Sequence, residues 1–186
     1  MFSRPALLSK LAKRLTLATL LCSVLAPQVT RAESSVVTEY HVKAAFLYNF
    51  SRFVNWPQPI EQTFKICVIG ENPFGQLLDT LIGKSVHDSI LVVEEHSTAE
   101  NAHDCQMAYI SPSLEKNIDA VLTELKKHPT LTVSDINGFT HAGGMIELNL
   151  VGNKVNFAIN TSAADTAGLS ISSKLLNLAT NVTAGR

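Results

Sequence analysis

The chain has 186 residues, 46% hydrophobic and 17% charged, with fifteen Lys and Arg against sixteen Asp and Glu. That balance excludes a polybasic nucleic-acid binder, and the apolar share excludes a disordered or collagen-like chain. The length suits one domain with a core of its own.

Residues 1–14 carry Arg4, Lys10, Lys13 and Arg14 and no acid. The apolar run Leu15–Ala26 follows. It is too short for a membrane-spanning helix, which needs about 20 residues, but has the length of a signal-peptide core. Thr30-Arg31-Ala32 reads as the cleavage site, so residues 1–32 are predicted to be an export signal and 33–186 the exported domain. Trimming leaves ten basic residues against sixteen acidic ones, a net charge of −6. It also removes Cys22, leaving Cys67 and Cys105 as an even pair in an oxidising compartment.

The first predicted element of the domain is a helix over 38–55, capped by Thr38 and stopped at Trp56-Pro57. Val42, Phe46, Phe50, Phe53 and Val54 recur on one face, marking a core element. Flanking residues Tyr40, Leu47, Tyr48 and Trp56 are candidates for a partner-binding face. A strand is predicted at 64–70, then a helix over 74–81 opened by Asn72-Pro73. Strands follow at 86–94 and 106–110, then a helix from Ser111-Pro112 to Leu125, closed by Lys126, Lys127 and His128. A strand at 130–135 precedes a hairpin, Met145–Leu150 and Lys154–Ile159 about a Gly152-Asn153 turn. Short helices over 161–167 and 172–180 close the chain. Strand–helix repeats imply right-handed crossovers. The expected fold is α/β: a single three-layer domain, a mostly parallel sheet flanked by helices, with a late antiparallel hairpin.

Catalytic motifs are scarce. Gly70–Gly75 lacks the Lys-Ser/Thr pair of a phosphate loop and carries Glu71 where a phosphate would sit. His96, His103 and Cys105 match no structural zinc spacing, so no metal and no cofactor is expected. Asp135 ends a strand where α/β folds place ligands, together with Gly70 and Ser111. An enzyme using Asp135 or His141 is the weakest functional reading. Gly143 and Gly144 precede a strand, serving either ligand contact or backbone geometry. Cys67 and Cys105 lie on strands that are neighbours in a 2-1-3 sheet, so a disulfide between them is expected.

The strings EYHVKAAFLYNFSRFVNWP (39–57), FKICVIGENPFG (64–75), LTVSD with GGMIELNLVGNKVNFAIN (131–160) and AGLSISSKLLNLA (167–179) resemble the YfiR family of periplasmic proteins. The resemblance implies a non-enzymatic regulator, exported to the periplasm, that binds the periplasmic part of an inner-membrane diguanylate cyclase. Such a regulator restrains cyclic di-GMP production and biofilm formation. It also implies cysteines at the positions of Cys67 and Cys105. A second cysteine pair of some members, around 139–147, is missing here. A small-molecule-binding sensor module is the alternative reading, with Asp135, Gly143 and Gly144 as candidate contacts. Self-association into a homodimer is compatible with either; nucleic acid is not an expected partner.

Overall fold

The computed structural model describes residues 30–183. Residues Met1–Ser34 and Ser35–Arg186 separate as two compact units, and the second holds the sheet. The predicted export signal, residues 1–32, falls outside the described residues but for its last three. Among the described residues no helix is long and apolar enough to cross a membrane.

Helix α1 (Thr30–Phe53) opens the described chain. It is followed by β1 (Val54–Asn55), β2 (Thr63–Ile69), β3 (Ser85–Val86), β4 (Ser89–His96) and β5 (Met107–Ile110). Then come α2 (Ile118–Leu125), β6 (Leu131–Ser134), β7 (Ile146–Val151) and β8 (Lys154–Asn160). Helix α3 (Thr161–Thr166), β9 (Ser170–Ile171), α4 (Ser173–Leu176) and β10 (Asn181–Thr183) complete it. Short 3-10 turns at Gly75–Leu81, Ala99–Ala102 and Pro112–Asn117 link these elements.

The main sheet runs β10-β8-β7-β6-β5-β2-β4-β3. Strands β4, β2, β5, β6 and β7 are parallel neighbours, and β7–β8 is the expected antiparallel hairpin. The doubly wound order of the first three strands is therefore the one the strand–helix pattern implied. Alternation in β2 splits the core in two. Phe64, Ile66 and Val68 face the layer of α1, α3 and α4, while Cys67 and Ile69 face α2 and the 99–102 turn.

Four elements differ from the sequence reading, among them the helix predicted over 74–81, which forms a 3-10 turn at Gly75–Leu81. The first helix starts before Thr38, and its last two predicted residues leave the helix as β1, pairing with β9. Its buried stripe is Lys43, Leu47 and Phe50, continued by Val54 of β1, whereas Val42 is exposed. The apolar count skipped Lys43 because an ammonium is not expected inside, yet an ion pair holds it there. The stretch 86–94 is a tight β3–β4 hairpin turning at His87, whose φ is +50°. The last predicted helix shrinks to α4, capped by Ser172 at the Leu175 amide, and β10 adds a parallel edge strand beside β8.

Candidate functional site

Ligands of doubly wound sheets bind beyond the carboxyl ends of the strands, so that edge comes first. At Gly70 and Ser111 it is filled. The backbone amides of both residues are tied to neighbouring strand ends, Gly70 to His96 and Ser111 to Ile69, each at 2.9 Å. Ser113 reaches back to donate to Ser111 Oγ and to accept from the Glu71 amide. A Cβ at Gly70 would meet Ser113 Oγ at 2.6 Å, so no crevice opens there.

Asp135 follows β6 on the same edge and is fully engaged. Tyr109, buried on β5, donates to its Oδ1 at 2.5 Å, and Tyr40 of α1 donates to Oδ2 at 3.1 Å. Lys43 forms a salt bridge with Oδ2 and a second with Glu39 one turn earlier. Its ammonium also lies 4.3 Å from the centre of the Tyr40 ring. Tyr40 and Tyr109 both pack edge-on against Phe74. Burial alone pulls the Lys43 pKa down, but the hydrogen bonds it donates to Asp135 and Glu39 outweigh it and the net shift is upward. Burial, reinforced by the nearby Asp135 carboxylate, pushes both tyrosines above their ordinary value. The cluster locks α1 onto the sheet and leaves Asp135 no free oxygen to offer a ligand.

The Gly143-Gly144 loop has a different role. Glu147, buried on β7, accepts from the amides of Gly138 and Thr140 and from the Thr140 hydroxyl, which folds the loop back on the sheet. Gly143 has φ +98°, a conformation that favours glycine. Gly144 is needed for space: a Cβ there would lie 2.1 Å from Cε1 of the buried Phe139 ring. Gly144→Ala is therefore expected to cost about 1–3 kcal/mol through overpacking. Urea unfolding would measure it, and wild-type stability would show that the ring has another place to go.

Beside this loop is a cavity of about 480 Å³, between the end of α2, β6, the end of β8 and α3. Leu122, Leu125 and Met145 supply apolar wall; Lys126 and His141 stand at it, with Asn160 on the far side. Asn160 is held by donating to the Thr140 carbonyl and accepting from the Ala163 amide. Gly143 lines the cavity, while Asp135 and Gly144 do not. Among the described residues no carboxylate lines it, and the charged lining group is the Lys126 ammonium. Sequence reasoning saw Lys126 as a helix-dipole partner and missed that α2 aims it at the glycine loop. Of Asp135 and His141, the alternatives of the weakest enzymatic reading, His141 lines this cavity and Asp135 does not.

The remaining candidates are placed plainly. Cys67 on β2 and Cys105 before β5 are joined as a disulfide, their Cα atoms 6.0 Å apart. His103 packs toward His128, its ring 6.3 Å away, and is not grouped with Cys105 as a ligand. Of the flanking candidates for a partner face, Leu47 is buried, Tyr40 belongs to the Asp135 cluster, and Trp56 Nε1 donates to the Gln106 carbonyl. Tyr48 keeps an outward position, with Arg52 and Lys84 near its ring.

Two comparisons bear on this architecture. A family model described as YfiR/HmsC-like matches residues 40–180. The crystal structure of a conserved domain protein from Vibrio cholerae O1 biovar El Tor is similar, with a TM-score of 0.56 and 13% identity. The likeness covers 77% of this chain and 60% of that protein, and it is a likeness of fold.

Proposed function

The chain belongs to the YfiR/HmsC-like family, and on that premise we propose that it is a periplasmic regulator of cyclic di-GMP signalling. In this reading it contacts the periplasmic part of an inner-membrane diguanylate cyclase and holds the cyclase inactive, without enzymatic activity of its own. The match over residues 40–180 carries the reading, since it runs from within α1 through every later element to α4. The basic and then apolar amino terminus supports export and a cleavable signal. Repression requires only that the protein prefer the inactive state of its partner. A hundredfold shift in that equilibrium needs about 2.7 kcal/mol of differential affinity. The test is cross-linking of the tagged exported chain in native membranes, with cyclic di-GMP measured after deletion of its gene. The expected result is capture of a membrane cyclase and a rise in cyclic di-GMP. Unchanged cyclic di-GMP with no signalling protein captured would sink the proposal.

The cavity favours a second, compatible reading, in which a small carboxylate-bearing molecule sets the regulator's state. Its mixed apolar wall, the Lys126 ammonium, the His141 imidazole and the Gly143 backbone support that ligand chemistry. A ligand present at about a hundred times its Kd would stabilise the fold by ~2.7 kcal/mol. Thermal-shift screening of aromatic and aliphatic carboxylates should therefore find stabilisers that Lys126→Met no longer responds to. Equal responses of wild type and variant would remove the cavity from the argument.

A further inference from the structure

The surroundings of the disulfide contain more than two cysteines. Strands β2 and β4 pair in parallel with Cys67 opposite Glu94 and Ile69 opposite His96. Paired residues of neighbouring strands share a face, so Cys67, Glu94 and His96 all point to the α2 side. Cys105 enters that face from the loop before β5. Both sulfurs and an imidazole nitrogen of His96 lie within 4.8 Å of one another. Nε2 of His96 is buried and has no hydrogen-bond partner. Its nearest charged neighbour is Oε2 of Glu94, at 3.3 Å. A buried ring nitrogen without a partner is costly, and such groups in native folds call for an explanation.

We propose that the dithiol form of this protein binds a zinc-type divalent cation through Sγ of Cys67, Sγ of Cys105 and Nε2 of His96. The Glu94 carboxylate supplies the fourth ligand. Two sulfurs, one imidazole and one carboxylate form a donor set that zinc takes tetrahedrally, with bonds of about 2.0–2.3 Å. Opening the disulfide lets the sulfurs separate to the spacing of such a site, with an imidazole nitrogen already within 4.8 Å of both. Glu94 and His96 are partly exposed, with side chains at 35% and 18%, and give the ion a route from solvent. Local spacing rules miss the site because its ligands come from three different segments, brought together by sheet register.

The chemistry balances with one external dithiol. Its two thiols close to a disulfide, delivering two electrons and two protons that convert Cys67–Cys105 to a pair of thiols. The cation then displaces both thiol protons and is held by two thiolates, which blocks their reoxidation.

The test uses the exported chain after reduction with a phosphine, then removal of the reductant under argon. Zinc affinity is read by competition with a chromophoric chelator. Cadmium substitution adds the ultraviolet charge-transfer band that reports thiolate ligation. One zinc per reduced chain, none per oxidised chain, and a cadmium–thiolate band are expected. His96→Ala should weaken zinc binding by at least tenfold, and Glu94→Gln by about tenfold. Zinc bound equally by oxidised and reduced chains, or with His96→Ala indistinguishable from wild type, would overturn the assignment. If reduction melts the chain, recovery of its near-ultraviolet dichroism on adding zinc supports the site, and failure to recover overturns it.

Discussion

Asp135→Ala is expected to remove about 3–5 kcal/mol of stability, the cost of breaking a buried ion pair from one side. Lys43 stays buried in the variant, with Glu39 as its remaining charged partner. Tyr109 is fully buried and loses the acceptor of its hydroxyl. Tyr109 carries the penalty of a buried hydroxyl without its carboxylate acceptor, while Lys43 keeps Glu39, which places the sum toward the lower end of the range. Against a domain stability of about 5–15 kcal/mol the loss is large enough to read directly from urea unfolding. A double-mutant cycle with Lys43→Met should return a coupling of at least ~1 kcal/mol. A coupling near zero would show that Asp135 acts through the tyrosines alone.

The same cluster sets the direction of a pH effect. Lys43, Tyr40 and Tyr109 all titrate higher in the folded protein than in the unfolded chain. A group with a raised folded pKa contributes stability that is complete below its unfolded value, near 10 for these residue types, and lost as pH climbs above it. Wild-type stability should therefore fall steeply above about pH 10. Asp135→Ala should flatten that alkaline limb, because all three groups lose the carboxylate that helps keep them protonated. An unchanged alkaline slope in the variant would contradict this account.

The strand–helix alternation was legible because each parallel strand reads as a short apolar run with turn residues on both sides. Phe64–Gly70 and Thr130–Asp135 lie within one residue of β2 and β6 at each end. What the sequence hid is the pairing of groups far apart along it. Asp135 stands out by its place at a strand end, but Tyr40 and Lys43 come from α1, 95 and 92 residues earlier. The polar character of Lys43 then hid it from the predicted buried stripe, which kept Phe50 but took Val42 in place of Lys43, since a period count assigns an ammonium to the outside. Gly144 reads as a turn residue, and only the Phe139 ring shows why no side chain fits. The cavity was illegible for a related reason: its wall is assembled from α2, the glycine loop, β8 and α3, and none of these carries a local signature. Strand β10 is too short and too polar to separate from the end of a helix by pattern alone.

Replacing both Cys67 and Cys105 by alanine should cost about 2–4 kcal/mol, because the bridge joins residues 38 apart in the sequence. Chain entropy puts the upper figure near 4 kcal/mol for a loop of that length. Native geometry argues that little of this is offset by strain, since β2 and β5 are hydrogen-bonded neighbours whether or not the sulfurs are joined. The loss should then come chiefly from a more expanded unfolded chain. That origin has its own signature: the urea slope m should rise in the double variant together with the fall in stability. The single variant Cys67→Ala removes the same cross-link and leaves Cys105 as a buried thiol. It should match the double variant within the cost of one small side chain. A loss under about 1 kcal/mol with an unchanged slope would mean that strand pairing alone holds the centre of the sheet, and that the bridge restrains neither state.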